Sequence, residues 1–151
     1  MIIETSGDLL HADAEALVNP VNTKGIMGAG LALQFKNAWP DLQAAYYGAC
    51  VCGELRPGRV FVWETGLVDG VHYVINFPTK VHWRQPSSIE DIAEGLRDLR
   101  QVISDYEIGS IAVPALGCGL GGLRWRDVWP LIVAHLGDLD GVRVLVYPPA
   151  S

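Results

Sequence analysis

The sequence predicts an α/β domain of three layers, with helices on both faces of a mixed, largely parallel sheet. Three observations carry that expectation. Short runs rich in β-branched residues alternate with segments of helical periodicity, the pattern of strands joined by crossover helices. Two glycine clusters, at residues 25–30 and 117–122, each follow an apolar run and precede a helical one. The chain has 151 residues, 50% hydrophobic and 19% charged, which suits one well-filled core and a single domain over 1–151.

The elements follow in order. Ile2, Ile3 and Glu4 begin a strand-like segment. Residues 14–21 form a mostly apolar run, too short for a helix, and read as a buried strand. Leu31, Leu33, Phe35 and Ala38 mark a helix that opens at Gly28 to Gly30 and stops near Trp39, because Pro40 disfavours helical backbone just before it. Residues 41–47 restart a helical turn. Residues 59–64 and 71–77 are β-branched and aromatic with a glycine-bounded loop between them, so a hairpin is expected.

Ser87-Ser88-Ile89-Glu90 reads as a capping box, and Ile89, Ile92, Leu96, Leu99 and Ile103 repeat behind it at helical spacing. Residues 110–116 form another buried strand. Asp127 is read as the N-cap of a helix over 128–136, with Pro130 in its first turn and Gly137 closing it. Residues 142–147 make the last strand.

Composition excludes several function classes. With 11 basic and 17 acidic residues the net charge is −6, which opposes a general phosphate-neutralising surface. No apolar run approaches the roughly 20 residues that span a bilayer. No basic flank precedes the opening strand, so a cytoplasmic protein with no membrane association is expected. Cys50, Cys52 and Cys118 are odd in number and lack C-x-x-C spacing. They supply neither a disulfide framework nor a zinc site and read as small buried thiols, Cys118 being the one placed for reactivity.

Sheets of this kind bind ligands at the carboxyl ends of their strands, where strand order reverses. Both glycine clusters stand there, and backbone N–H groups ahead of a helix favour an anion, most often phosphate. The P-loop pattern G-x-x-x-x-G-K-[ST] is absent, and neither cluster matches G-x-G-x-x-G. Lys80-Val81-His82-Trp83-Arg84 sets an aromatic ring among cations, a local patch that can stack a base and hold a phosphate.

Gly7-Asp8-Leu9-Leu10, Val18-Asn19-Pro20-Val21-Asn22, Gly28-Ala29-Gly30-Leu31-Ala32 and Pro114-Ala115-Leu116-Gly117-Cys118-Gly119 together resemble the macrodomain family, the ADP-ribose-binding fold. The stretch from Lys24 to Lys36, Asn76-Phe77-Pro78-Thr79-Lys80, and Gly117-Cys118-Gly119-Leu120 running into Leu123-Arg124-Trp125 are similar to one branch of it. That branch holds DarG-type DNA ADP-ribosyl glycohydrolases, which are antitoxins, and terminal ADP-ribose protein glycohydrolases. DarG-type proteins carry a further carboxy-terminal region, so the resemblance implies the amino-terminal domain of a longer antitoxin.

The resemblance implies roles by residue. Asp8, with the Leu9 backbone, would hold the adenine amino group. Gly28, Gly30, Leu31, Gly117, Cys118, Gly119, Leu120, Gly121 and Tyr147 would complete the ADP-ribose site, the glycine loops cradling diphosphate and ribose. Asn22 would orient the distal ribose and Lys80 would carry the chemistry. Lys80 would either attack the anomeric carbon as a neutral amine or polarise the ribose through hydrogen bonds. Attack requires lowering a pKa that is about 10.4 in water.

His82, Trp83 and Arg84 are the DNA-contact candidates. In the protein-directed enzymes an aspartate follows Gly-Cys-Gly-Leu; here Gly121 stands in that place, which weakens a protein-ester substrate. The implied activity is removal of ADP-ribose from thymidine in single-stranded DNA, reversing a toxin ADP-ribosyltransferase. ADP-ribose is its ligand and product; no cofactor or metal is implied, and a monomer is expected. A non-catalytic ADP-ribose reader and a hydrolase of protein esters or O-acetyl-ADP-ribose are the rival readings.

Overall fold

Strand and helix alternate as expected in the computed structural model, which describes residues 1–150. The strands are β1 (Ile2–Glu4), β2 (Ala16–Asn22), β3 (Phe61–Glu64), β4 (Tyr73–Lys80), β5 (Ser110–Pro114) and β6 (Arg143–Tyr147). The helices are α1 (Gly30–Ala38), α2 (Pro40–Val51), α3 (Ile89–Asp105) and α4 (Trp125–Leu136), with a 3-10 turn at Leu9–His11. The sheet order is β1-β6-β5-β2-β4-β3, and every pairing is parallel except the β3–β4 hairpin. Among the described residues, β1 pairs only with β6.

The central strands are buried on both faces, which is why they read as continuous apolar runs rather than alternating ones. Alternation decides which layer each residue meets. Ala16 and Val18 of β2, with Ile75, Phe77, Ile111 and Val113, pack against α3 and α4. Leu17 and Val21, with Val74 and Ala112, pack against α1 and α2. The Phe77 ring presses so closely on Gly95 of α3 that a Cβ at Gly95 would overlap its Cζ.

Three local expectations are corrected. The cap of α3 is Ser88, not Ser87: Ser88 Oγ accepts from the Asp91 N–H at 3.3 Å and donates to Glu90 at 2.9 Å. Ser87 is buried instead, under the second glycine loop. Helix α4 begins at Trp125 after Arg124, which makes no side-chain cap. Asp127 lies inside the first turn, where its charge still favours the helix dipole, and Pro130 is the sixth helical residue. Burial draws the start upstream: Trp125 packs on the core and lies tilted at 39° against Trp129 one turn later, ring centroids 5.6 Å apart. Strand β4 also continues past Phe77 to Lys80. Pro78 is tolerated there because the β3 pairing has already ended at Asn76, leaving no ladder bond for its missing N–H on that side.

Among the cysteines, Cys50 and Cys118 are half-buried but Cys52 is exposed, because it caps the last turn of α2 at the surface. No helix among the described residues is long and apolar enough to cross a membrane.

Candidate functional site

The site exists because two central strands part. β2 follows β4 along its whole length but pairs with β5 only at Ala16 with Ile111 and Leu17 with Ala112. Beyond Leu17 the two strands separate, and a cleft of about 1140 Å³ opens at their carboxyl ends. Pro20 and Pro114 lie in its walls; with no N–H, neither leaves a donor unpaired where the ladder stops.

The two glycine loops form opposite sides of this cleft. Gly30 begins α1 at φ +59°, and a Cβ at Gly30 or Gly119 would meet no protein atom. Packing therefore does not demand glycine at those two positions. The open space in front of them is room for a ligand to approach the backbone. Gly117 and Gly121 are different, since both are required by the loop itself. A Cβ at Gly121 would lie 2.5 Å from the Gly117 carbonyl oxygen and closer still to Ser87 Oγ. The Ser87 N–H donates to the Gly121 carbonyl at 2.9 Å, tying the loop to the entrance of α3.

One end of the cleft is built on β2 and β4. The ladder runs Val21 to Pro78 and then Asn22 to Lys80, so Thr79 is an extra residue in β4. This bulge brings Lys80 level with Asn22. The Lys80 ammonium donates to the Trp83 carbonyl at 2.9 Å. The Asn22 amide makes two bonds to backbone: Oδ1 accepts from the Lys24 N–H at 2.9 Å, and Nδ2 donates to the Ile26 carbonyl at 2.8 Å. The Tyr46 hydroxyl of α2, buried, lies 2.7 Å from the Asn22 carbonyl oxygen and 3.0 Å from Asn22 Oδ1.

The other end is built on residues after β1 and at the end of β6. Asp8 caps the 3-10 turn by accepting from the Leu10 N–H at 3.0 Å and contacts His11 Nδ1 at 2.8 Å. Asp8 and Tyr147 both line the cleft, and partial burial followed by the Asp8 charge raises the Tyr147 hydroxyl above its usual pKa. From β6 to β4 is three strand spacings, so the cleft is at least about 14 Å from end to end.

Every residue expected to hold ADP-ribose lines this one cleft: Asp8, Leu9, Asn22, Gly28, Gly30, Leu31, the loop from Gly117 to Gly121, and Tyr147, together with Lys80. Of the DNA-contact candidates, Trp83 stands at the cleft while His82 and Arg84 are outside its lining. Trp83 is 42% exposed as a residue, and its ring stacks on His82, ring centroids 3.9 Å apart. Cys118 is a correction: burial raises its thiol above the usual pKa, so the loop presents no activated thiolate. The sequence assigns Tyr46 and Thr79 no task of their own at the site, and Ser87 only that of a helix cap. A tyrosine at helical spacing reads as core, and neither a bulge nor a buried serine leaves a local signal.

The profile of the Macro domain family matches residues 18–132. The chain is a macrodomain. It is 51% identical over its whole length to a DNA ADP-ribosyl glycohydrolase of Mycobacterium tuberculosis, of which it covers 43%. The solved macrodomain of Mycobacterium tuberculosis DarG superposes with a TM-score of 0.97, covering 99% of each chain at 51% identity. The macrodomain of Thermus aquaticus DarG gives 0.95 at 50% identity, again with 99% of each chain covered. A Thermosipho africanus DarTG solved in complex with ADP-ribose gives 0.93 at 35% identity, over 98% of this macrodomain and 41% of that chain. The curated Thermosipho protein is a DNA ADP-ribosyl transferase–glycohydrolase fusion, 38% identical over 158 residues, covering 95% of this chain and 40% of that protein. This macrodomain thus spans less than half the length of these curated relatives.

Proposed function

We propose that this macrodomain is a DNA ADP-ribosyl glycohydrolase that removes ADP-ribose from thymidine in single-stranded DNA. The observation that carries the proposal is the pairing of Lys80 with Asn22 at one end of a cleft whose other end is Asp8 and Tyr147. A ligand with a purine at one end, a diphosphate in the middle and a second ribose at the other matches that sequence of surfaces. Adenine meets Asp8 and the Leu9 backbone, the diphosphate lies between the glycine loops, and the distal ribose reaches Asn22 and Lys80. The thymine joined to that ribose then emerges beside Trp83, whose exposed ring offers a stacking face.

The chemistry is cleavage of the bond between the ribose anomeric carbon and the thymine nitrogen, with the bonding pair leaving on nitrogen. In the covalent form the neutral Lys80 amine bonds to the anomeric carbon, and the proton it gives up ends on the departing thymine nitrogen. Water later displaces the lysine and releases ADP-ribose. In the polarising form Lys80 stays protonated and water attacks directly. A carboxylate at position 121 plays no part in either route. The modified DNA implies a cognate ADP-ribosyltransferase toxin as the functional partner, consistent with the Thermosipho fusion carrying both activities in its name.

The test is parallel incubation with ADP-ribosylated single-stranded DNA and ADP-ribosylated protein, following released ADP-ribose. Release from DNA alone is expected. Release from protein alone would make this a protein hydrolase, and tight ADP-ribose binding without release from either would make it a reader.

A further inference from the structure

We infer that Tyr46 is a positioning residue for the reaction, fixing the Asn22 amide so that one N–H faces the cleft. The inference rests on the proposed role of Asn22 at the distal ribose. Tyr46 sits at the middle of α2, 0% exposed, where a phenylalanine would fill the same space without burying a hydroxyl. The hydroxyl is not idle: it lies within hydrogen-bond distance of both the carbonyl and the side-chain oxygen of Asn22. The Cys50 thiol and the Gly25 and Ile26 backbone N–H groups also border it, so it meets the first glycine loop and the end of β2 together. Burial raises its pKa well above the ordinary phenol value, which keeps the proton in place as a donor.

The amide bookkeeping gives the functional content. An asparagine amide has two N–H donors and an oxygen with two acceptor sites. Asn22 Oδ1 accepts from the Lys24 N–H and shares the single Tyr46 hydroxyl proton with the nearer Asn22 carbonyl oxygen, and one Nδ2 donor goes to the Ile26 carbonyl. The remaining Nδ2 hydrogen has no protein partner among the described residues, and Asn22 lines the cleft. Loss of the Tyr46 hydroxyl would leave Oδ1 held from one side only. The amide would keep its two backbone bonds but could tilt about them, turning the free N–H off the ribose oxygen it must meet.

Tyr46→Phe is the variant, compared with Asn22→Ala and with the double variant. Turnover by Tyr46→Phe should fall about tenfold, the rate equivalent of one ordinary hydrogen bond, with KM for the modified DNA little changed. In the Asn22→Ala background the same change should have no further effect on kcat. A loss of equal size in both backgrounds would mean a merely structural tyrosine and overturn the inference. So would wild-type turnover by Tyr46→Phe, or by Asn22→Ala. A second readout does not need activity: the Asn22 side-chain amide pair in the ¹H–¹⁵N spectrum, identified by its loss in Asn22→Ala. Tyr46→Phe should shift that pair, and an unmoved pair overturns the positioning. If the wild-type protein releases nothing from DNA, the functional reading falls and the amide spectrum alone decides the role of Tyr46.

Discussion

Ser87 occupies the space that a side chain at Gly121 would need. Its hydroxyl stands where a Gly121 Cβ would be, its N–H holds the Gly121 carbonyl, and its Oγ is buried with no hydrogen-bond partner among the described residues. The glycine is thus enforced by the backbone of this loop, and the missing carboxylate is not a gap that one substitution can fill.

Gly121→Asp should therefore fail to create a protein-directed enzyme. It forces bulk and an unpaired charge against Ser87 and the Gly117 carbonyl, and should destabilise the fold by about 3 kcal/mol. Urea unfolding measures this. Wild-type stability would show that the loop has a second arrangement.

ADP-ribose should raise the melting temperature while adenosine raises it much less, because the diphosphate and distal ribose make contacts that adenosine lacks. Gly119→Glu should abolish the ADP-ribose shift yet leave the melting temperature of the free protein nearly unchanged. The space before Gly119 is open, so the new side chain clashes with the ligand rather than the protein. Equal shifts from both ligands would contradict a site centred on the diphosphate.

Lys80→Ala should fold and bind ADP-ribose, since the adenine and diphosphate surfaces lie elsewhere in the cleft. Turnover of ADP-ribosylated DNA should drop by orders of magnitude, because the loss falls on the transition state rather than on ground-state binding. Lys80→Arg should not rescue it: guanidinium keeps the charge but cannot become a neutral nucleophile. Full rescue by arginine would leave only the polarising role. Borohydride should trap a lysine–ribose adduct during turnover if the route is covalent.

Gly95→Ala sets helix propensity against packing. Alanine gains about 1 kcal/mol in a helix, whereas overpacking a filled core costs about 1–3 kcal/mol. The added methyl would overlap the fully buried Phe77 ring, three residues before Lys80, so packing should win. The expected result is a lower melting temperature; a higher one would show that the ring can swing aside.

Much of this was legible in sequence. The buried strands at β2 and β5 announced themselves as apolar runs, α3 by its spacing, and the two walls of the site by their glycines. What escaped depended on tertiary placement. Trp125 reads as a near-core residue ahead of the helix until its packing on the core extends α4 upstream of Asp127. Ser87 and Ser88 are equivalent as caps until the glycine loop claims the first. The extra residue at Thr79 cannot be seen in β4 alone, because a bulge is defined by the partner strand. Tyr46 carries the same helical pattern as Leu42 and Ala49, and only the meeting of α2 with the end of β2 gives its hydroxyl a task.

The solitary pairing of β1 with β6 has a consequence in time. Among the described residues β1 finds its only partner in β6, about 140 residues later in synthesis, and the cleft takes residues from Gly7 through Ala150. At about 5–20 residues per second, synthesis separates those two strands by several seconds to about half a minute. No early portion of the chain contains a ligand site, so binding competence arrives in one step when the final strand slots in. Until then the amino-terminal segment is an unpaired edge waiting for its neighbour.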